Sequence, residues 1–487
     1  MSISHFDLAA AARTEMLHEG FNPDFAPGTE LQLAQIRAAS AQRVQAGNGA
    51  ADLRELLWSS IDNDSSRDLD QIEYAESVEG GIRVLVAIAD VDVAVAKGSP
   101  IDQHAAEQTT SVYTPATVFP MLPEQLSTGL TSLNENEDRA AVVTEFVVDA
   151  QGKIQEHSIY RAIVRNKAQL AYPSVGAWLE QRADAPPKVA ASAELQSQLK
   201  LQDKAAQSLR KLRVQCGALN FDRPESHATV DASGAVLNYG ATQKTRANDL
   251  IEDFMIATNE IMARTLQAAH RSSIRRVVKT PERWERIVAL AKEKGASLPA
   301  EADSGALNQF LEAQHKSDPD HYPDLSLAII KLMGPGEYVL LRAGEEGDGH
   351  FGLAAHDYTH STAPNRRFSD IVTQRLLKAL KQNTPSPYSD DELAEIAENC
   401  TQKENAARKV ERFSLKAAAA VALHNRIGQQ FNAIVTGVSD KGIFARLVSP
   451  PVDGRIIRGQ QGLDVGDRTR VTLLGTNPQL GFIDFGR

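Results

Sequence analysis

Four aspartates fall within nine positions of the segment 60–71, and they are Asp62, Asp64, Asp68 and Asp70. Asp68 and Asp70 are two residues apart, so an extended backbone would point both carboxylates to one face. Asp62 follows an apolar segment, and the polar residues after it allow the chain to fold this carboxylate back toward the pair. Converging carboxylates repel one another unless a cation neutralises them, and oxygen ligands favour Mg²⁺, Mn²⁺ or Ca²⁺. One interpretation of the segment is therefore a divalent-metal site with catalytic chemistry.

Two other interpretations fit the same residues. Clusters of Asp, Asn and Ser most often form solvated turns. The run Asp62-Asn63-Asp64 is also similar to the start of an EF-hand calcium loop, although the Gly and Glu required at later positions are missing. The spacing alone leaves a metal-dependent catalytic site, an acidic turn and a calcium loop open.

A second polar segment, 359–368, places hydroxyl groups, a proline and the pair Arg366 and Arg367 at the start of a predicted helix. Guanidinium groups bind phosphate through two parallel N–H donors, and a helix N-terminus adds backbone N–H groups. A surface turn in which the arginines cap the helix is an equally good interpretation.

Two further side chains have both a functional and a structural interpretation. Tyr113 lies in a polar segment that ends in a proline, where its ring is suited to stack on a nucleic-acid base. A buried tyrosine with a satisfied hydroxyl group is the commoner case. Glu411 lies on a predicted helix within 389–426, where a glutamate ordinarily pairs with a lysine or arginine one turn away.

Composition limits the classes of protein to which these residues can belong. Of 487 residues, 42% are apolar and 24% are charged, as in globular proteins. No apolar run approaches the ~18–20 residues that span a bilayer, and the start, 1–13, lacks the apolar block of a secretory signal. Because Cys216 and Cys400 are far apart, we expect neither a disulfide framework nor a thiolate metal site, and we expect a cytoplasmic location.

The net charge of −11 does not favour binding of a nucleic acid, but the charged residues are distributed unevenly along the chain. The segment 264–286 holds seven Lys or Arg and two acids, and 427–487 holds seven Lys or Arg and five Asp. Phosphate binding needs positive potential only where the strand lies. This distribution is compatible with an RNA channel and does not require one.

The hydrophobic patterns predict an α+β fold of three domains. Residues 1–50 have the pattern of two helices joined by a proline-containing turn, which is typical of a small helical cap and also of a helix-turn-helix. Residues 51–426 mix strands and helices, including a buried strand over 82–89. Residues 427–487 contain four or five short alternating strands, which is the size of an OB-fold barrel.

Taken in chain order, these segments resemble the ribonuclease II family, whose catalytic region is the RNB domain. Besides the acidic and arginine segments, the matches include Ile88-Ala89-Asp90-Val91, Pro120-Met121-Leu122-Pro123, Leu250-Ile251-Glu252-Asp253-Phe254-Met255 and His350-Phe351-Gly352-Leu353. The segment 427–487, with Val435-Thr436-Gly437-Val438 and Gly442-Ile443-Phe444, is similar to the OB-fold RNA-binding module of the S-one type.

The resemblance implies processive hydrolysis of single-stranded RNA from its 3′ end to nucleoside 5′-monophosphates. It implies a mixed sheet wrapped by helices, and a channel that ends at one or two Mg²⁺ ions, with Mn²⁺ as the alternative ion. Single-stranded RNA is the expected partner, and we expect neither a membrane nor an obligate protein partner. The competing hypothesis is an RNA-binding adaptor of weak or no catalytic activity, and a DNA-directed regulator that uses the first two helices is a third.

The resemblance also assigns expected roles by position. Asp62, Asp68 and Asp70 match the family's carboxylates at the metal, and Asp70 is the residue whose loss is expected to stop the reaction. Arg366 matches the arginine that holds the phosphate near the scissile bond, and Arg367 beside it is a further RNA-binding candidate. Tyr113 matches the tyrosine that stacks on the 3′-terminal base. Glu411 matches, less closely, a glutamate near the terminal nucleotide.

Two features depart from the family pattern. The family usually has two adjacent aspartates where this chain has Asp70-Gln71. An amide oxygen can ligate a metal but brings no charge, so we expect Gln71 to hold a second metal ion more weakly, or Asp64 to contribute. Relatives often begin with cold-shock-type barrels, whereas residues 1–50 have neither the length nor the pattern for them.

Overall fold

The computed structural model describes residues 6–45, 49–221, 225–231, 236–319, 321–439 and 442–487. Residues 1–5, which belong to the start interpreted as non-secretory, lie outside the described residues. Within these ranges, strands and helices are mixed along the chain up to Leu423, and a group of strands follows. The predicted α+β class is confirmed.

The α-helices of the described residues are α1 Leu8–His18, α2 Thr29–Gln45, α3 Pro100–Gln108, α4 Tyr172–Leu179, α5 Pro187–Ala190, α6 Ala193–Gln215, α7 Arg246–Ala268, α8 Trp284–Glu293, α9 Ser304–Ser317, α10 Tyr322–Met333, α11 Phe368–Lys381 and α12 Asp390–Leu423. None of them combines the length and the apolar character that a membrane-spanning segment requires.

The first twelve strands of the described residues are β1 Ala51–Asp52, β2 Trp58–Asp62, β3 Gln71–Val78, β4 Gly81–Ala89, β5 Val112–Tyr113, β6 Val118–Phe119, β7 Asp138–Val148, β8 Ile154–Ala171, β9 Glu225–Val230, β10 Val236–Thr242, β11 Ser273–Val277 and β12 Glu337–Leu341. The last five are β13 Gln430–Ser439, β14 Gly442–Leu447, β15 Asp453–Arg458, β16 Arg468–Asn477 and β17 Phe482–Gly486.

The central sheet holds six strands in the order β1, β8, β2, β3, β4 and β7, and β8 also pairs with β7. The first part of β8 pairs antiparallel with β7, and its last part pairs parallel with β2. The strand pairing therefore runs without a break around β2, β3, β4, β7 and β8. From Val84 to Ala89 strand β4 is buried on both faces, as its apolar run predicts. The mixed sheet expected from the family resemblance is confirmed.

Helices α6, α7 and α11 share one apolar core with this sheet. Phe146 of β7 and Phe254 of α7 are in edge-to-face contact with ring centroids 6.4 Å apart. Helix α12 begins with a capping box between Ser389 and Glu392 and continues for 34 residues. It joins the sheet domain to the C-terminal strands, because Ala419, Ala420 and Leu423 pack into the core of those strands.

The five C-terminal strands form a closed barrel in the order β13, β14, β15, β17 and β16. Phe431, Ile456 and Phe485 lie in its core. The OB-type barrel expected from the sequence is confirmed. Helix α1 packs on α12, with Leu8 against Ala417 and Ala418. The division of the chain at residues 50 and 426, and the choice between a cap and a helix-turn-helix for the first helices, stay predictions.

Candidate active site

The acidic segment forms the connection between β2 and β3. Strand β2 ends at Asp62, whose carboxylate oxygen Oδ1 accepts hydrogen bonds from the Asn63 N–H at 2.8 Å and the Ser66 hydroxyl at 2.7 Å. Near the other end of the connection, Leu69 is buried and its backbone N–H donates to the Ser132 hydroxyl at 2.9 Å. The connection is thus anchored at both ends, which fixes where its carboxylates lie.

Asp70 is the most buried of the four aspartates, with 2% of its surface exposed. Its Oδ1 accepts a hydrogen bond from the Asn365 backbone N–H at 2.9 Å, and its Oδ2 has no hydrogen-bond partner. The Nε of Arg366 lies 3.6 Å from that Oδ2. Burial raises the pKa of Asp70 to about 7, although Arg366 and the Asn365 N–H both favour the ionised form. A buried, ionisable oxygen is therefore available to a cation.

Backbone pairing holds Arg366 close to Tyr113. The Ser111 N–H donates to the Arg366 carbonyl oxygen at 3.0 Å, and the Phe368 N–H donates to the Thr109 carbonyl oxygen at 2.8 Å. These two hydrogen bonds bring together two segments that are far apart in the sequence. The arginine segment thereby contacts both the acidic connection and the segment that carries Tyr113.

Tyr113 bridges the acidic connection and helix α12. Its hydroxyl donates to Oδ2 of Asp68, and its backbone N–H donates to Oε1 of Glu411 at 3.3 Å. Burial, and then the charge of Asp68, raise the pKa of the phenol. The residue keeps 37% of its surface exposed, so the anchored ring remains accessible to a ligand.

The two neighbouring arginines differ in their surroundings. The Arg366 side chain is half exposed, whereas Arg367 donates to Oδ1 of the fully buried Asp370 at 2.7 Å. Both line a cavity of about 210 Å³ together with Tyr113, Glu404, Arg408 and Glu411. Burial raises the pKa of Glu411. The cavity thus combines an accessible guanidinium, an aromatic ring and carboxylates.

The basic tract 264–286 is only partly a surface feature. Arg275 and Arg276 are 3% and 6% exposed, and Arg276 donates to Oε2 of Glu404 at 2.6 Å. Arg276 therefore acts on the cavity through Glu404.

Two buried groups near the acidic connection lie outside the set expected from the sequence. Glu73 follows Gln71 by two positions on β3 and is fully buried, and neither of its carboxylate oxygens has a hydrogen-bond partner. The pKa of Tyr172, at the start of α4, is raised by burial and then by the charges of Asp62 and Glu73. The sequence signal for Glu73 is its position two residues after Gln71 in a strand. The sequence gives no evident signal for Tyr172.

The donor set of the site fits a divalent ion in its chemistry. Oxygen atoms of carboxylates and of the Gln71 amide are the ligands that Mg²⁺ and Mn²⁺ prefer, and the buried Oδ2 of Asp70 has no hydrogen-bond partner. The carboxylate oxygens of Asp62, Asp68 and Asp70 lie further apart than the ligand atoms around a bound ion. In the described parts of the chain, the one group of three acidic, histidine or cysteine side chains whose ligand atoms all lie within 4.8 Å is Glu15, His18 and Glu19.

Comparisons with known proteins place the chain in a family. Residues 50–383 match the model of the RNB domain, and residues 429–487 match the model of the RNase II-type exonuclease C-terminal S1 domain. Ribonuclease R of Escherichia coli strain K12 is 30% identical over 445 residues, which cover 88% of this chain and 53% of that protein. The chain thus spans about half the length of this relative.

Two solved structures show how widely the fold is used. Mycoplasma genitalium RNase R in complex with ribose methylated single-stranded RNA matches with a TM-score of 0.87 at 24% identity, over 99% of this chain and 78% of that chain. Yeast Ssd1, described as a pseudonuclease, matches with a TM-score of 0.67 at 17% identity, over 85% of this chain and 51% of that chain. The fold alone therefore does not establish catalysis, but the sequence match does establish the family: this chain belongs to the RNB domain family.

Proposed function

We propose that this chain is a metal-dependent exoribonuclease that shortens single-stranded RNA from its 3′ end and releases nucleoside 5′-monophosphates. The observation that carries the proposal is the distance of 3.6 Å between Oδ2 of the buried Asp70 and Nε of the half-exposed Arg366. An acidic group suited to a divalent ion thus lies beside a cation suited to a phosphate. Family membership supports the same reaction class.

A divalent ion, Mg²⁺ or Mn²⁺, would be held by Asp62, Asp68 and Asp70 with Gln71 as a neutral ligand, and when bound it supplies Lewis acidity and a water of lowered pKa. The Arg366 guanidinium would bind the last phosphodiester and stabilise the negative charge that develops on its oxygens. The Asn365 N–H holds one oxygen of Asp70 at 2.9 Å, and the other oxygen, which has no hydrogen-bond partner, would be the ligand of the ion.

Tyr113 is assigned to hold the 3′-terminal nucleotide. Its hydroxyl and its N–H are occupied by Asp68 and Glu411, so the ring is oriented before RNA arrives. Stacking on a base does not depend on the identity of the base, because every base has a π-face. Glu411 is assigned a position near the terminal nucleotide. Arg367 would contribute its positive charge to RNA binding and would stabilise the site through its ion pair with Asp370.

The barrel of β13–β17 is assigned to the capture of single strands. Phe444 and Phe482 expose 36% and 58% of their surfaces. Exposed aromatic rings next to basic residues are the features with which OB-folds bind single strands.

The test uses one RNA labelled in turn at each end. With Mg²⁺, the 3′ label is expected to leave at once as a mononucleotide, while the 5′ label stays on a series of shortening products. Asp70→Asn should bind the RNA and leave it intact. Glu79→Gln, on an exposed glutamate of the turn between β3 and β4, is the matched control and should cleave normally. Loss of the 5′ label first, or binding without cleavage by the unmodified chain, would refute the proposal.

A non-catalytic RNA-binding protein is the second candidate, and Gln71 is the observation that favours it. The amide removes one negative charge from the expected metal ligands, and Ssd1 is described as a pseudonuclease on a similar fold. This candidate predicts RNA affinity that does not change with Mg²⁺ and no released mononucleotides.

A further inference from the structure

A short buried segment between β6 and β7 contacts both the acidic connection and the arginine segment. Its residues Thr131, Ser132 and Leu133 expose 7%, 0% and 1% of their surfaces. Arg139 of β7 donates through Nε to the Ser132 carbonyl oxygen at 2.8 Å. The segment is therefore anchored to the central sheet.

Ser132 and Leu133 hold the backbone between Asp68 and Asp70. The Leu69 N–H donates to the Ser132 hydroxyl at 2.9 Å, and the Leu133 N–H donates to the Leu69 carbonyl oxygen at 2.9 Å. Because Leu69 is the residue between the two aspartates, these hydrogen bonds fix the backbone from which both carboxylates extend.

Thr131 holds the arginine segment through Asn365. The Thr131 hydroxyl lies 2.6 Å from Oδ1 of the fully buried Asn365 and 2.8 Å from the Leu126 carbonyl oxygen. Nδ2 of Asn365 has no hydrogen-bond partner, so in the described ranges this side chain is held by Thr131 alone. A hydroxyl both donates and accepts, so one hydrogen bond joins Thr131 to the amide whichever way round the amide lies.

Asn365 connects this hydrogen bond to the groups assigned to the reaction. Its backbone N–H donates to Oδ1 of Asp70 at 2.9 Å. Arg366 is the next residue, and its Nε lies 3.6 Å from Oδ2 of Asp70. Thr131 thus holds the side chain of the residue whose main chain holds Asp70 and leads into Arg366.

We propose that Thr131 is a positioning residue, which acts through Asn365 to set the distance between the Asp70 carboxylate and the Arg366 guanidinium. The inference rests on the proposed function and deepens it. A misplacement of about 1 Å at a reacting group can cost about 100-fold in rate. Loss of the Thr131 hydroxyl therefore affects the rate of cleavage more than the affinity for RNA.

The first measurement is hydrogen exchange of backbone amides in the full-length, metal-free chain without RNA. Thr131→Val keeps the branched side chain and removes the hydroxyl. The Asn365 N–H is expected to exchange about tenfold faster or more in this variant, because its hydrogen bond to Asp70 opens more often. The Leu133 N–H should keep its protection. A general loss of stability would instead raise both exchange rates together.

Two further variants serve as controls for the exchange measurement. Thr131→Ser keeps the hydroxyl and should exchange at Asn365 as the unmodified chain does. Thr265→Val removes a hydroxyl that donates to the Ile261 carbonyl oxygen at 2.8 Å within α7, and it should also leave Asn365 exchange unchanged. Unchanged exchange in Thr131→Val, or an equal rise in Thr265→Val, would overturn the inference.

The second measurement is RNA cleavage in a single turnover at saturating RNA and Mg²⁺. Thr131→Val should slow cleavage by about tenfold or more, while its affinity for RNA in EDTA stays that of the unmodified chain. Thr131→Ser should recover most of the rate. Cleavage by Thr131→Val at the rate of Thr265→Val, or a loss confined to RNA affinity, contradicts a positioning role.

Should Thr131→Val fail to fold, Asn365→Ala decides the matter. This change removes the same hydrogen bond from its other side and keeps the backbone N–H that meets Asp70. Faster exchange at position 365 together with slower cleavage would support the inference. Exchange as in the unmodified chain, or cleavage at the rate of Thr265→Val, would overturn it.

The two proposals fail in different ways. If the unmodified chain never shortens RNA while Thr131→Val exchanges faster at Asn365, only the exoribonuclease is refuted. If the unmodified chain shortens RNA while Thr131→Val exchanges and cleaves as Thr265→Val does, only the role of Thr131 is refuted.

Discussion

Replacing Asp70 with Asn is expected to stabilise the metal-free protein at high pH while abolishing cleavage of RNA. The pKa of Asp70 is raised from 3.8 to about 7, chiefly by burial. This difference, at ~1.4 kcal/mol for each pH unit, corresponds to ~4 kcal/mol of free energy. Ionisation of Asp70 in the folded, metal-free protein therefore opposes folding, and Asn removes that cost.

The sign of the pH dependence follows from the two pKa values. Because the folded pKa exceeds the unfolded one, the unfolded state loses its proton first as pH rises. The contribution of Asp70 to stability is complete below pH 3.8, falls between about pH 4 and about pH 7, and stays low above that range. Asn does not titrate, so the variant lacks this decline.

The assay is urea unfolding of the unmodified chain and of Asp70→Asn in EDTA, at pH 5 and at pH 8. The advantage of the variant in unfolding free energy should be larger at pH 8 than at pH 5 by roughly 2–3 kcal/mol. Asp64→Asn, which changes an exposed side chain, should give no such difference between the two pH values. An equal advantage at both pH values would refute the argument that Asp70 is a buried group poised to bind a cation.

Three further predictions concern the groups around Asp70. Arg366→Ala should lower the rate of RNA cleavage by about 100-fold or more, because the side chain acts on the phosphate, and it should cost less stability than Arg367→Ala, because the half-exposed Arg366 lies 3.6 Å from Asp70 without a hydrogen bond to it; Arg366→Lys, which keeps the charge but not the fork of donors, should recover only part of the rate in a single-turnover assay. Arg367→Ala should instead destabilise the fold by about 3–5 kcal/mol in urea unfolding, because it leaves the buried Asp370 without its charge partner; equal stability losses in the two arginine variants would contradict this distinction. Tyr113→Ala should weaken binding of single-stranded RNA in EDTA by about 1–3 kcal/mol, as measured by fluorescence anisotropy, and unchanged affinity would show that the ring does not stack on a base.

Local patterns were sufficient to predict several elements of the fold. Strand β4 is apolar from Val84 to Ala89, and helix α12 begins with the capping residues of 389–392. Strand β15 has a weak signal in the sequence, because Asp453, Gly454 and two arginines give it little of the apolar alternation by which strands are recognised. Its place is set by pairing with β14 and β17 in the closed barrel.

The candidate site could be predicted in its residue types but not in its contacts. The acidic spacing and the paired arginines are visible in the sequence, whereas the hydrogen bond from the Asn365 N–H to Asp70 joins residues 295 positions apart. The different surroundings of Arg366 and Arg367 also depend on tertiary structure, because Asp370 forms an ion pair with Arg367. The roles of the site residues stay proposals, and so does the part played by Gln71.

The central claim is that the β2–β3 connection binds a divalent ion beside the phosphate-binding arginine. The most direct measurement is the anomalous diffraction of Mn²⁺ in crystals of the full-length chain. The account predicts a peak in contact with Asp62 and Asp70, next to Arg366. Absence of a peak there at saturating Mn²⁺, or a peak confined to Glu15, His18 and Glu19 at the C-terminal end of α1, would contradict it.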